Sequence, residues 1–160
     1  MRFSYRDLAH VAGMFFVALV IYGLAFYAEG YVLSEWVRVD PAGTNVYYDQ
    51  WLVRFRQLAG IVVAIACVFS LIWYGFASGV ERWQQSKGKR IVWGFLLIAP
   101  LLVAVLAMWM TPATRGWGYL TACTFHLLNG GLCYYSATVL FSPDAHKYAP
   151  LGAVRLRRHW

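Results

Sequence analysis

Charge is the first thing this chain lacks. Asp, Glu, Lys and Arg make up 13% of its 160 residues, against roughly 25% in an average soluble domain. The four longest apolar stretches, Ala9–Ala28, Leu58–Val80, Ile91–Met110 and Trp117–Phe141, contain no charged residue. Ion pumps and proton-coupled carriers place ionisable groups near the bilayer midplane. Their absence from these stretches argues against transport by this chain alone. Catalytic signatures are missing too. There is no G-x-S-x-G, no H-E-x-x-H and no pair of carboxylates at working spacing. Three cysteines are present, Cys67, Cys123 and Cys133, without a C-x-x-C. Cys123 and Cys133, ten residues apart on one helix, would lie about 15 Å from each other, too far for a disulfide, which needs Cα atoms within about 7 Å. That argues against a membrane thiol oxidoreductase, which uses exposed cysteine pairs. Internal repeats, low-complexity tracts and N-x-[ST] sequons are also lacking.

What is present is apolar length. Each of the four stretches is close to or above the roughly 20 helical residues that cross about 30 Å of hydrocarbon. The loops between them are too short for a separate soluble domain. The sequence therefore predicts one all-α domain over residues 1–160, a polytopic four-helix transmembrane bundle. Arg2 and Arg6 resemble the start of a signal peptide. The apolar run that follows exceeds the usual 7–15 residues, and Phe26-Tyr27-Ala28 offers no A-x-A cleavage site, so this segment reads as a retained span.

The formal charge of +7 is unevenly placed. Arg2, Arg6, Arg82, Lys87, Lys89, Arg90, Lys147, Arg155, Arg157 and Arg158 lie at the N-terminus, in the second loop or in the tail 142–160. Only Arg38, Arg54, Arg56 and Arg115 lie in the loops 29–57 and 111–116. Ten against four is a positive-inside bias. It predicts both termini in the cytoplasm and loops 29–57 and 111–116 outside. The basic excess then reports orientation and attraction to anionic headgroups. Nucleic acid is not an expected partner, because no binding motif accompanies the charge.

In the outer loop, Asp40-Pro41-Ala42-Gly43 signals a turn. Trp36, Tyr47, Tyr48 and Trp51 fit an aromatic belt at the membrane surface or a docking surface for a partner. Arg54 and Arg56 are expected to snorkel outward, or to pair with Glu35 or Asp49. The third stretch has no strongly polar side chain and reads as the most lipid-exposed helix, kinked at Pro100. The short turn 111–116 makes the third and fourth helices antiparallel neighbours. The tail, with Arg155, Arg157, Arg158 and Trp160, is a second candidate contact surface.

The fourth stretch is the polar one. On a helical wheel Cys123, His126, Asn129, Gly130, Cys133 and Ala137 fall within about 120° of arc. Such a stripe faces protein, because unsatisfied polar groups in lipid are costly. Packing against a neighbouring helix is the plain reading. A neutral His126, about 14 Å deep by helix rise, could instead ligate haem or a chlorophyll magnesium. Ala122, four residues earlier, would leave room for a flat macrocycle. This A-x-x-x-H spacing resembles that of antenna pigment-binding helices. His10, the other histidine within a span, lies near the opposite face, so a bis-His haem is excluded. Cys123, His126 and Cys133 do not converge on one tetrahedral metal, and a fourth ligand is not evident.

Two functions follow. The first is a non-enzymatic accessory or scaffold subunit of a larger bacterial inner-membrane complex, of the secretion, conjugation or energy-converting kind, with other membrane subunits as partners. The alternative is a redox or pigment anchor that binds haem, chlorophyll or quinone through His126. The orientation has a direct test. A cysteine introduced at Asn45 should react with an impermeant thiol reagent added to spheroplasts, and one at Gly88 should not; the reverse pattern inverts the topology.

Overall fold

The computed structural model describes the backbone of residues 5–37, 45–79, 88–110 and 117–141, and the side chains of 5–33, 50–78, 91–110 and 120–141. All of the described backbone is helical. This is the expected outcome for an apolar chain in lipid, where each backbone N–H and C=O must be satisfied within its own segment. The first run comprises α1 (Tyr5–Leu24), a π-helical turn (Ala25–Glu29) and α2 (Gly30–Val37). It is followed by α3 (Asn45–Gly79), α4 (Gly88–Met110) and α5 (Trp117–Phe141).

Among the described residues, three segments are long and apolar enough to cross a membrane: Tyr5–Leu33, Gln50–Ser78 and Ile91–Met110. The chain is thus a helical membrane protein with three evident transmembrane helices. The fourth helix, α5, has 25 residues, sufficient to span, but Thr121, Thr124, His126, Asn129 and a Gly130-Gly131 pair dilute its hydropathy. Both α4 and α5 end where the apolar stretches end.

The first two spans differ from expectation. The first helical run does not stop at Ala28 but continues through Glu29 to Val37. The expected outer loop 29–57 is largely helix, since α2 begins at Gly30 and α3 already at Asn45. Loop readings fail here because Tyr, Trp, Gln and Arg are all competent helix residues, and a polar stretch carries no stop signal of its own. The turns at 40–43 and 111–116, the polar extension after Val80 and the tail 142–160 lie outside the described residues.

Helices α3 and α5 form the centre, with α1 and α4 on their flanks. Each central helix packs on the other and on both flanking helices. The apolar window of α4 is only 17% buried, as expected for a lipid-facing helix, but that of the first run is equally open, against 50% for α3. Two flanking helices, not one, therefore carry the outward faces.

The core is stacked in layers. Near the first residues of α1, Met14 packs with Tyr74 and Ala137. Next come Ala18, Val63, Ala66, Cys67, Cys133 and Tyr134. At the opposite end Leu33, Trp51, Phe55 and Ala122 close the bundle. Small residues set how closely the helices approach. The Phe141 ring lies directly over Gly13. A Cβ at Gly130 would stand 3.1 Å from Val62 Cγ1 and 3.2 Å from the Pro100 carbonyl oxygen, so α3, α4 and α5 meet there. Pro100 is buried within an α4 that continues on both sides.

Gly130→Ala should lower the thermal unfolding midpoint in detergent, because the Pro100 backbone cannot move aside; overpacking of this kind costs about 1–3 kcal/mol. Gly23→Ala, with nothing within 4 Å of the new Cβ, should be neutral or gain up to about 1 kcal/mol from helix propensity. Equal effects at the two sites would contradict this packing.

Candidate functional site

In a water-poor interior, polar side chains mark where helices are tied together or where something is bound. The described residues place such groups at four levels. At one end, the Tyr74 hydroxyl donates to Asp7 Oδ1 at 2.6 Å. His10 Nδ1 lies 3.3 Å from the same hydroxyl, with its ring edge-on to Tyr74 at 5.7 Å. The hydroxyl proton is committed to Asp7, so His10 donates through Nδ1–H. This joins the start of α1 to the end of α3. One layer in, Trp93 Nε1 donates to Thr138 Oγ1 at 3.0 Å. The Tyr134 hydroxyl donates to the Trp93 carbonyl at 3.0 Å. These two bonds join α4 to α5.

The third level is the π-helical turn. Asn129 Nδ2 donates to Glu29 Oε2 at 2.8 Å. Asn129 is 3% exposed and Glu29 is half-buried. Beside this pair, Arg56 Nε donates to the Phe26 carbonyl at 3.1 Å, and the guanidinium carbon stands 4.1 Å from the centre of the Phe26 ring. A π-turn disturbs the regular i→i−4 ladder, and Arg56 supplies a donor to a carbonyl within it. Gly30 leaves the space for this arm, since a Cβ there would meet Arg56 Nη2 at 3.2 Å. Arg56 is thus half-buried and directed to Phe26 of the first run, while the side chains of Glu35 and Asp49 lie outside the described residues. Arg54 is exposed.

The fourth level holds His126. Its side chain is fully buried, with the Phe55 ring 4.8 Å away and tilted by 33°. Phe55 in turn stacks on Trp51 at 5.7 Å and 9°. Trp51 is only 4% exposed, so this member of the expected aromatic belt belongs to the core and not to the membrane surface. The space beside Ala122 is taken by Leu33, Trp51 and Phe55.

The polar stripe of α5 is distributed among these layers. Cys123, His126, Asn129, Gly130, Cys133 and Ala137 are all buried, while Leu128 and Leu132 face outward. Cys133 Sγ points to the Val63 carbonyl at 3.9 Å. None of the three cysteines forms a disulfide, and among the described residues no cluster of His, Cys, Asp and Glu could hold a metal ion. The side chains of Trp36, Tyr47, Tyr48, Arg155, Arg157, Arg158 and Trp160 lie outside the described residues.

Glu29 is the residue that sequence reasoning misplaced. The sequence places it in the outer loop 29–57, because the apolar run ends at Ala28. The overlooked signal was Val32 and Leu33, three and four residues further on, which resume an apolar helix face after Glu29.

Fold and site together define a polytopic helical membrane protein whose helices are joined by part-buried side-chain hydrogen bonds. No family model matches the chain, and no curated protein or solved structure is significantly similar to it.

A double-mutant cycle tests the central tie. Glu29→Ala and Asn129→Ala, measured by unfolding in mixed micelles, should couple by about 1–2 kcal/mol, the upper range for interhelical hydrogen bonds in membranes. Additive effects would mean that the bond contributes nothing to stability.

Proposed function

We propose that this chain is a non-enzymatic accessory or scaffold subunit of a larger complex in a bacterial inner membrane, with both termini in the cytoplasm. The observation that carries the reading is the pair of open flanks. On α1, Phe15, Phe16 and Leu19 are exposed, and on α4, Phe95, Leu102, Leu106 and Trp109 are exposed, Trp109 to 79%. Polar side chains between the helices, by contrast, are spent on ties within this chain. Large outward ridges and an inward polar set suit a subunit that offers surfaces to neighbouring helices. The orientation rests on the ten-to-four distribution of basic residues. Other membrane subunits and anionic headgroups are the partners this reading implies.

The alternative, a redox or pigment anchor, draws on the burial of an imidazole in α5. It would require Leu33, Trp51 and Phe55 to vacate the space beside Ala122, at a cost in core packing.

Native electrophoresis after mild detergent extraction tests the first reading. The chain should migrate in an assembly well above its own 18.2 kDa together with its micelle, and co-purifying proteins should identify the complex. Migration as a lone monomer under all mild extractions would overturn it. The absorption spectrum of the purified protein tests the alternative. A Soret or chlorophyll band that is lost in His126→Ala would replace the scaffold reading with the anchor.

A further inference from the structure

Glu29 is the one acidic side chain that this fold carries into an apolar layer of the bundle, among the described residues. Three helices agree on its depth. Along the first run, Ala18 of one core layer precedes it and Leu33 of the other follows it. Along α5, its partner Asn129 lies between Ala122 and Cys133 of the same two layers. Along α3, Arg56 lies between Phe55 and Val63. Gly130, next to Asn129, abuts the Pro100 carbonyl, which is the middle of the 20-residue apolar stretch Ile91–Met110. The carboxyl group thus lies between two apolar core layers of the bundle. Intramembrane carboxyl groups are costly, and where they occur they mark proton relays or ion pathways. The backbone adds an independent sign, because π-turns within helices concentrate at functional sites.

We propose that the Glu29 carboxyl group, held by Asn129 at the π-turn, is an intramembrane proton-binding site. The ligand is a proton and not a metal ion because of what faces the carboxyl group. Asn129 presents its Nδ2 donor, whereas alkali and alkaline-earth ions need several oxygen ligands. Arg56 spends its guanidinium on Phe26 and does not neutralise Glu29. Among the described residues, the other titratable groups at neighbouring positions of the packed elements are His126, set against Phe55, Cys123 of the same helix, Arg54 of α3, and Tyr22, Tyr27 and Tyr31 of the first run itself. Glu29 is half-buried and its neighbours Tyr27 and Ala28 are exposed, so a reagent dissolved in the apolar phase can reach the carboxyl group. A change of charge at Glu29 would act on the α1–α5 tie directly, and the π-turn gives the helix an alternative hydrogen-bond register through which to respond.

The full chain in lipid nanodiscs provides the test. Dicyclohexylcarbodiimide, which reacts with protonated carboxyl groups in apolar surroundings, should form an adduct at Glu29 detectable by peptide mass spectrometry. Labelling should fall as pH rises and should be lost in Glu29→Gln, which retains an acceptor for Asn129 and hence the fold. The pH profile should shift in Asn129→Ala. In parallel, the infrared carboxyl band obtained by subtracting the Glu29→Gln spectrum should appear and vanish with pH, independently of reagent access. A Glu29 carboxyl band that does not change with pH would overturn the proposal. Protection from labelling by sodium but not potassium at fixed pH would also overturn it, in favour of a metal-cation site. Neither measurement involves a partner, so failure here leaves the scaffold reading standing, and a lone monomer on native gels leaves this site standing.

Discussion

A polar group inside a bilayer has no water to fall back on, and everything specific about this structure follows from where its few polar side chains find partners. Apolar contacts alone set no register between helices in lipid, because lipid tails are as apolar as Leu. The ties Asp7–Tyr74, Asn129–Glu29 and Trp93–Thr138 do set one. Each joins a different pair of helices or a different level. Individually they are modest, roughly 0.6 kcal/mol on average for bonds of this kind. Their effect lies in selection: sliding α1 by one turn against α3 and α5 would break the bonds of two carboxyl groups, an amide and a phenol at once, and orphaned buried groups cost far more than the bonds contribute.

Small residues then determine which of the permitted registers can pack. Gly13 admits the ring of Phe141, Gly130 admits the Pro100 carbonyl and the Val62 methyl, and Gly30 admits the Arg56 side chain. The last of these links packing to backbone geometry. Arg56 can reach the Phe26 carbonyl because the π-turn disturbs the ladder there and because Gly30 presents no side chain in its path. The same turn leaves Glu29 half-buried and directed to Asn129. A locally irregular helix, an arginine from a neighbouring helix and a buried amide thus form one unit. That unit is where a change of charge could be converted into a change of helix contact.

Much of this was legible in the residues. The ends of α4 and α5 coincide with the ends of apolar stretches, because hydropathy and helix length both derive from the thickness that must be crossed. The stripe Cys123, His126, Asn129, Gly130, Cys133 and Ala137 could be drawn on a wheel, because a helix converts spacing into direction. What failed did so for a physical reason. Glu29 falls in the loop 29–57 on a sequence reading, because a charge usually ends a span. Here Asn129, a hundred residues away, makes its inclusion tolerable. Trp51 was read as a membrane-surface aromatic because indoles favour that zone, yet a cleft between Leu33, Phe55 and Ala122 buries it. Arg56 was expected to seek water, and a carbonyl and an aromatic ring in the adjacent helix satisfy it instead.

The residues by themselves determined that the chain is helical and membrane-bound, where two of its long helices end, and which face of the fourth turns inward. These properties depend on local periodicity and on transfer from water to hydrocarbon, both of which can be read residue by residue. Only the tertiary structure decided that the first helix continues past Glu29 through a π-turn, that the two flanking helices are equally open, and which polar side chains meet. Those outcomes depend on partners distant in sequence. A carboxyl group inside an apolar layer has no meaning until the group facing it is known.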